Sequence, residues 1–139
     1  MKTSLKTAFA IFTIAASLLA GCSKNPPYVG SWHWEGKPGA DTDGVSLENK
    51  NDGSFSVFLS GSMNDSHSGT YSVASSNADD IKFNIQVQTS LHDEHPAEDS
   101  GLAGGTLEWS KDTDGKELVK YSYTHVGGRG ESFRLERDK

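Results

Sequence analysis

The residues of this sequence whose types could do chemistry are densest in one polar stretch, His92-Asp93-Glu94-His95, which is followed by Glu98 and Asp99. Imidazole and carboxylate groups are good ligands for zinc or copper, and two histidines three positions apart can converge on one ion. The spacing matches no established zinc motif, and connections between strands are often polar simply because they are solvated. We therefore predict a solvated acidic loop and no metal site, with His92 and His95 as the candidate ligands if one exists.

Catalytic chemistry has less support in the sequence. His33, His67 and His125 lie far apart, and each stands beside an expected strand end or turn, where an exposed histidine is ordinary. There is no Gly-x-Ser-x-Gly elbow and no glycine-rich phosphate loop before a helix. We predict that the protein is not an enzyme, has no catalytic residues and uses no cofactor.

Aromatic residues form the remaining candidate site, because many of them fall on the expected inward face of the strands. If the interior holds a ligand, we expect a small apolar pocket whose mouth is edged by tyrosine hydroxyls. The alternative is an interior filled by the same side chains, since an eight-stranded barrel is just wide enough for either arrangement. The candidate ligand-binding residues are Trp34, Tyr71, Tyr121 and Tyr123.

Alternation of apolar and polar residues with period two recurs beyond residue 30 and predicts the strands that position these side chains. The clearest run has polar residues between four apolar ones, Ile81, Phe83, Ile85 and Val87. Eight such runs follow one another, most of them separated by short turn sequences such as Asn51-Asp52-Gly53. Polar connections are expected at residues 61–68 and 89–103, and the second is the longer.

Eight sequential strands joined mostly by short turns predict an all-β fold. We expect a small eight-stranded antiparallel up-and-down barrel over residues 30–137, because closing the sheet removes the exposed edges that would otherwise aggregate. The alternative is a β-sandwich, which shows the same alternation but usually needs longer crossover connections.

The N-terminus has the pattern of an export signal. Lys2 and Lys6 precede about 12 apolar residues, a length typical of a signal peptide and shorter than the ~20 of a membrane-spanning helix. The run ends in Leu19-Ala20-Gly21-Cys22, which resembles the lipobox of bacterial lipoproteins and contains the single cysteine of the chain. The resemblance implies that residues 1–21 are a removed signal peptide, that Cys22 is acylated, and that residues 22–29 form a lipidated tether.

The same resemblance implies a location. In the sorting rule of Gram-negative lipoproteins, a residue such as Ser23 after the cysteine directs the protein to the outer membrane, facing the periplasm. Removal of residues 1–21 leaves 118 of the 139 residues, enough for one domain, and changes the formal charge from −6 to −8. Such an acidic domain is a poor match for nucleic acid. The lipid at Cys22 is therefore the expected attachment to the membrane.

A second resemblance concerns the barrel. Gly30-Ser31-Trp32 opens the first expected strand, and Arg134 stands between Phe133 and Leu135 in the last. This resembles the lipocalin and calycin barrels, which begin with Gly-x-Trp and pack a late arginine across that tryptophan. The resemblance implies structural roles for Gly30, Trp32 and Arg134, with Arg134 stacked on Trp32. The chain departs from the family in being shorter and in lacking its late helix and its disulfide.

Together these patterns predict an outer-membrane-anchored periplasmic lipoprotein that is a non-enzymatic binding module for a small apolar ligand or an envelope component. The alternative is a periplasmic inhibitor or immunity protein that binds a basic protein partner through the 89–103 loop. An empty apolar interior would favour the small ligand, and a packed interior would favour the protein partner.

Overall fold

The computed structural model describes residues 24–62, 64–93, 95–96, 102–125 and 130–139, with the backbone alone at residues 92, 95, 96, 102–104 and 125. The predicted signal peptide and the predicted lipid attachment at Cys22 lie outside these ranges. No helix in the described ranges is long and apolar enough to cross a bilayer.

The described residues form nine antiparallel strands. In chain order these are β1 Gly30–Glu35, β2 Thr42–Asn49, β3 Ser54–Gly61, β4 Asp65–Ser76, β5 Asp80–His92, β6 His95–Pro96, β7 Leu102–Lys111, β8 Glu117–His125 and β9 Gly130–Arg137. Each long strand pairs with the next one, and β9 pairs with β1, so eight strands close into an up-and-down barrel. The two-residue β6 only extends the end of β5. The predicted barrel is confirmed, and its continuous ladder rules out two separate sheets.

The core lies inside the barrel because successive residues of a strand point to opposite faces. The apolar residues of the alternating pattern turn inward, and each large apolar side chain that is fully buried contributes about 1.5–3 kcal/mol. The buried core residues are Trp32, Val45, Leu47, Phe55, Val57, Leu59, Ile81, Phe83, Leu107, Trp109, Val119, Tyr121, Tyr123, Phe133 and Leu135.

The polar connection expected at residues 61–68 is wrong beyond residue 64, because β4 begins at Asp65. The β3–β4 register pairs His67 with Val57, and paired residues share a face, so the ladder carries His67 into the core. Val73 continues the alternation of Tyr71, which predicts that it points inward, but it is 51% exposed. The reason is that β4 pairs with β3 only as far as Thr70 and continues beyond it against β5 alone.

Where it is described, the expected connection at residues 89–103 is mostly strand. β5 continues to His92, turns through Asp93, which has a positive φ of 47°, and pairs back with β6. β7 then begins at Leu102. Residues 94 and 97–101 of this connection lie outside the described residues.

The two ends of the barrel differ. We call the end where β1 begins the tether end; it also holds the β2–β3, β4–β5 and β7–β8 turns. The opposite end, where β1 finishes, is the loop end, and the β1–β2, β3–β4, β5–β7 and β8–β9 connections belong to it. The chain that precedes the barrel therefore leaves from the end opposite to the 89–103 connection.

Tyr28 closes the interior of the barrel at the tether end. The Tyr28 carbonyl accepts hydrogen bonds from Trp32 Nε1 at 3.3 Å and from Asn49 Nδ2 at 3.1 Å. Its ring packs edge-on against Phe83, with centroids 4.7 Å apart, and against Tyr71 at 5.9 Å. Tyr28 belongs to the expected tether, yet it is packed against the core and fixes where the tether leaves the barrel.

The arginine that covers Trp32 is Arg137, and the assignment to Arg134 is wrong. The Arg137 guanidinium carbon lies 4.3 Å from the Trp32 ring centroid, and the two residues are register partners in the β1–β9 ladder. Arg134 is exposed, because it stands between the inward-facing Phe133 and Leu135 and so points outward. A Cβ at Gly30 would lie 2.9 Å from Arg137 Nη1, so a glycine at this position leaves room for the arginine.

Candidate functional site

Three of the four residues expected to bind a ligand come together inside the barrel. The Trp34 ring lies 5.1 Å from that of Phe133, which is 6.4 Å from Tyr123, and Tyr123 is 5.6 Å from Tyr121. Tyr71 lies apart from them at the tether end, where its hydroxyl donates to the Lys50 carbonyl. The four residues therefore do not form one site.

His67 is the member of this cluster that sequence reasoning missed. It is 2% exposed, its Nδ1 lies 2.9 Å from the Tyr121 hydroxyl oxygen, and its ring meets that of Tyr123 edge-on at 4.9 Å. The alternating pattern could have identified His67, because it stands four positions before Tyr71 and so falls on the same face of the strand, with the polar Ser68 and Thr70 on the other face. The polarity of the surrounding residues 61–68 concealed it.

The tyrosines of the interior are neutral hydrogen-bond donors. Burial raises the pKa of Tyr121 well above its ordinary value. Burial also raises the pKa of Tyr123, and the hydrogen bond to Glu131 and the charges of Glu131 and Asp65 raise it further. At the tether end, burial raises the pKa of Tyr71 to about 12, assisted by Tyr28 and Asp52. None of these hydroxyls is ionised near neutral pH, so they can donate hydrogen bonds but cannot act as phenolate bases.

The middle of the barrel is filled. A cavity able to hold a ligand would leave the side chains that line it accessible to a water-sized sphere. Trp32, Val119, Tyr121 and Leu135 are each 0% exposed. Two interior hydroxyls are also bonded within the protein, since the Tyr121 hydroxyl bonds to His67 and the Tyr123 hydroxyl donates to Glu131. A ligand would have to displace packed side chains and break these bonds.

The candidate metal ligands, His92 and His95, have side chains that lie outside the described part of the chain. His92 and His95 are direct register partners across the β5–β6 ladder, and Asp65 pairs with His92 across β4–β5. Among the side chains that the structure describes, no three histidine, cysteine, aspartate or glutamate residues are grouped to hold a metal ion. The absence of a metal site at His92 and His95 thus stays a prediction.

The outer wall carries a groove of about 460 Å³ that crosses the strands from β1 to β5. Its floor is made mostly of small polar side chains, and its most prominent apolar group is Phe58, which is 47% exposed. We call it the serine groove. Its outward-facing residues are Ser31, Ser46, Glu48, Ser56, Phe58, Ser66, Ser68, Thr89, Leu91 and Asp138.

The charged groups around the serine groove are mostly acidic. Glu48 and Asp138 line it, and Asp138 pairs with the half-exposed His33. A smaller groove of about 270 Å³ shares Phe58, Ser66 and Leu91 with it and adds Asp65 and Asp93. Among the residues that the structure describes, no lysine or arginine lines either groove.

The wall over β1 and β9 is different, because both signs of charge meet there. Arg134 lines a groove of about 260 Å³ together with His33, Glu35 and Glu136. Lys116 Nζ lies 2.6 Å from Glu136 Oε1, and this contact raises the pKa of the lysine and lowers that of the glutamate. Both groups are exposed, so the pair contributes little to stability.

The fold and these surfaces define a small, closed, antiparallel eight-stranded β-barrel with a filled middle and an acidic groove on its wall. Comparison with protein-family models, with curated proteins and with solved structures found no match for this chain.

Proposed function

We propose that this protein is a lipoprotein of the outer membrane, anchored through Cys22 and facing the periplasm, that acts without catalysis by binding another protein. We favour a protein over a small apolar ligand because the middle of the barrel is filled. Tyr121, one of the four residues predicted to bind a ligand, is fully buried, and its hydroxyl is bonded to His67. We therefore expect this barrel to bind its partner through its outer surface and its loops.

The path of the chain before the barrel supports an orientation in which the tether end faces the membrane. Arg137 donates hydrogen bonds to the carbonyls of Pro27 and Val29, so the preceding chain is held at the tether end. Cys22 stands six residues before Tyr28, a stretch that spans at most about 20 Å when fully extended. A lipid at Cys22 would keep the tether end near the membrane and present the loop end, with the 89–103 connection, to the periplasm.

The charge of the domain suggests the chemistry of the partner. Without residues 1–21 the formal charge is −8, and complementary charge speeds association and selects partners. A basic periplasmic protein fits this charge, as expected of an inhibitor or an immunity protein. The proposed contact includes the 89–103 connection at the loop end.

We expect Cys22→Ser to abolish membrane association, because acylation needs the thiol and several buried acyl chains are required for durable anchoring. The measurement is incorporation of labelled palmitate together with fractionation of membranes from soluble periplasm. Ser23→Ala serves as the control, since it leaves the thiol intact and should remain membrane-bound. Equal palmitate incorporation by wild type and Cys22→Ser would refute the anchor.

The class of ligand is tested on the intact lipoprotein purified from its own envelope under mild conditions. We expect native mass spectrometry to show a complex with one basic protein and no small apolar molecule retained in the barrel. Replacing residues 92–99 by a Gly/Ser linker should remove the protein partner. It also removes the short β5–β6 ladder, but the eight long strands that close the barrel stay paired, so the domain should still fold. A retained small molecule with no protein partner would overturn the proposal.

A further inference from the structure

We infer that the serine groove is a docking site for a cationic segment of a partner protein, which places an apolar side chain beside Phe58. The inference rests on the proposed function in one respect, namely that the partner is a protein. It adds where the partner sits on the barrel wall and which chemistry of the partner is recognised.

The groove follows from the strand register. Ser46, Phe58, Ser66 and Leu91 are successive register partners across β2, β3, β4 and β5, so they form one row on the outer wall. The next row contains Glu48, Ser56, Ser68 and Thr89 in the same way. Two neighbouring rows thus place short side chains around a single aromatic ring.

The short side chains leave Phe58 partly uncovered. Outward positions of strands favour β-branched and aromatic residues, which cover the sheet and one another. Ser46 and Ser66, on either side of Phe58 in its row, are too short to do so, and Phe58 remains 47% exposed. An exposed ring in a depression can bury further apolar area against a partner, which is the arrangement of an interface hot spot surrounded by a polar rim.

The carboxylates around the ring select the charge of the partner. Glu48 and Asp138 lie in the groove, and Asp65 and Asp93 lie in the adjoining groove that shares Phe58. Since the described lining of both grooves has carboxylates and no lysine or arginine, a lysine or arginine of the partner finds complementary charge there, whereas an acidic segment is repelled. An anionic lipid surface and nucleic acid are disfavoured for the same reason.

The groove is also in the right place. Thr89 and Leu91 line it and lie in β5, directly before the turn at Asp93 that begins the connection at the loop end. A partner held by the 89–103 connection would therefore reach the serine groove without crossing the barrel. By contrast, Val73 is similarly exposed, at 51%, but lies on the part of β4 beyond β3, near the tether end. Val73 is therefore a matched control for Phe58.

The test uses the mature lipoprotein, labelled with nitrogen-15 and held in a neutral detergent, and three synthetic peptides. The first peptide is Lys-Leu-Lys-Trp-Lys, the second replaces its lysines by glutamate, and the third replaces leucine and tryptophan by serine. We expect only the first to shift amide resonances, and to shift those of Phe58, Ser66 and Leu91 most. Phe58→Ser should weaken its binding by about fivefold or more, the effect of truncating an interface side chain that contributes to binding.

The controls separate apolar contact from charge. Val73→Ser should bind the first peptide as wild type does, and Glu48→Gln should weaken binding at low salt more than at high salt. Equal binding of the third peptide, or of the first peptide to Phe58→Ser, would overturn the inference, as would shifts centred on Val73. If the groove fails this test while the envelope preparation still yields a basic protein partner, the proposed function stands and only the docking site falls. Conversely, the first peptide could bind the groove as expected while the envelope preparation yields no protein partner. That result would support the inferred chemistry of the groove and refute the proposed function.

Discussion

Replacing Trp32 by alanine is expected to lower the free energy of unfolding by about 3–5 kcal/mol, the range for emptying a large aromatic site in a core. The ring is fully buried, its Nε1 donates to the Tyr28 carbonyl at 3.3 Å, and the Arg137 guanidinium lies over it at 4.3 Å. The substitution therefore removes core volume, the bond that seals the tether end and the cation–π contact together. Since small domains are stable by only about 5–15 kcal/mol, this variant should be close to unfolding.

The control is the adjacent His33→Ala on the opposite face of β1. His33 is half-exposed, and its contact is an exposed pair with Asp138, so its loss should cost well under about 1 kcal/mol. Urea unfolding of both variants, followed by far-ultraviolet circular dichroism, measures the difference without relying on tryptophan fluorescence. Equal losses at the two positions would contradict the assignment of the inward face.

Replacing Tyr121 by alanine is expected to have an effect of the same size, about 3–5 kcal/mol, because it opens a cavity at the centre of the barrel. Tyr121 is 0% exposed and contacts the rings of Phe55, His67 and Tyr123. The matched variant Tyr121→Phe keeps the ring and removes the 2.9 Å hydrogen bond to the buried His67, so its cost should be about 1–3 kcal/mol. Thermal and urea unfolding of the two variants give this comparison.

The same pair of variants tests whether the interior is filled. An apolar cavity in a core stays dry and accepts small apolar molecules, so Tyr121→Ala should be stabilised by benzene. Wild type and Tyr121→Phe should not be, because the ring already occupies the space. Stabilisation of the wild type by benzene would show an existing pocket and return support to a small apolar ligand.

The strand pattern shows how far local information reaches. Which face a residue of a strand occupies is a local property of the extended backbone, so alternation predicted the inward positions of Phe83, Tyr121 and Leu135 and the closed eight-stranded barrel. The pattern failed where local composition opposed it, as at His67, whose polar neighbours 61–68 have the composition of a loop. At Val73 the pattern failed in the opposite way. Val73 continues the apolar alternation of β4, but β4 no longer pairs with β3 beyond Thr70, so Val73 is exposed.

By itself, the sequence determined the all-β barrel and most of its inward face, and it predicts the lipid anchor at Cys22. Only the tertiary structure decided which residues meet, because neighbours across a sheet depend on register, which pairs residues far apart in the chain. Register placed Arg137 rather than Arg134 over Trp32, and separated Tyr71 from Tyr121 and Tyr123. It also aligned serines from separate strands around Phe58. The serine groove exists for that reason, and no single stretch of sequence contains it.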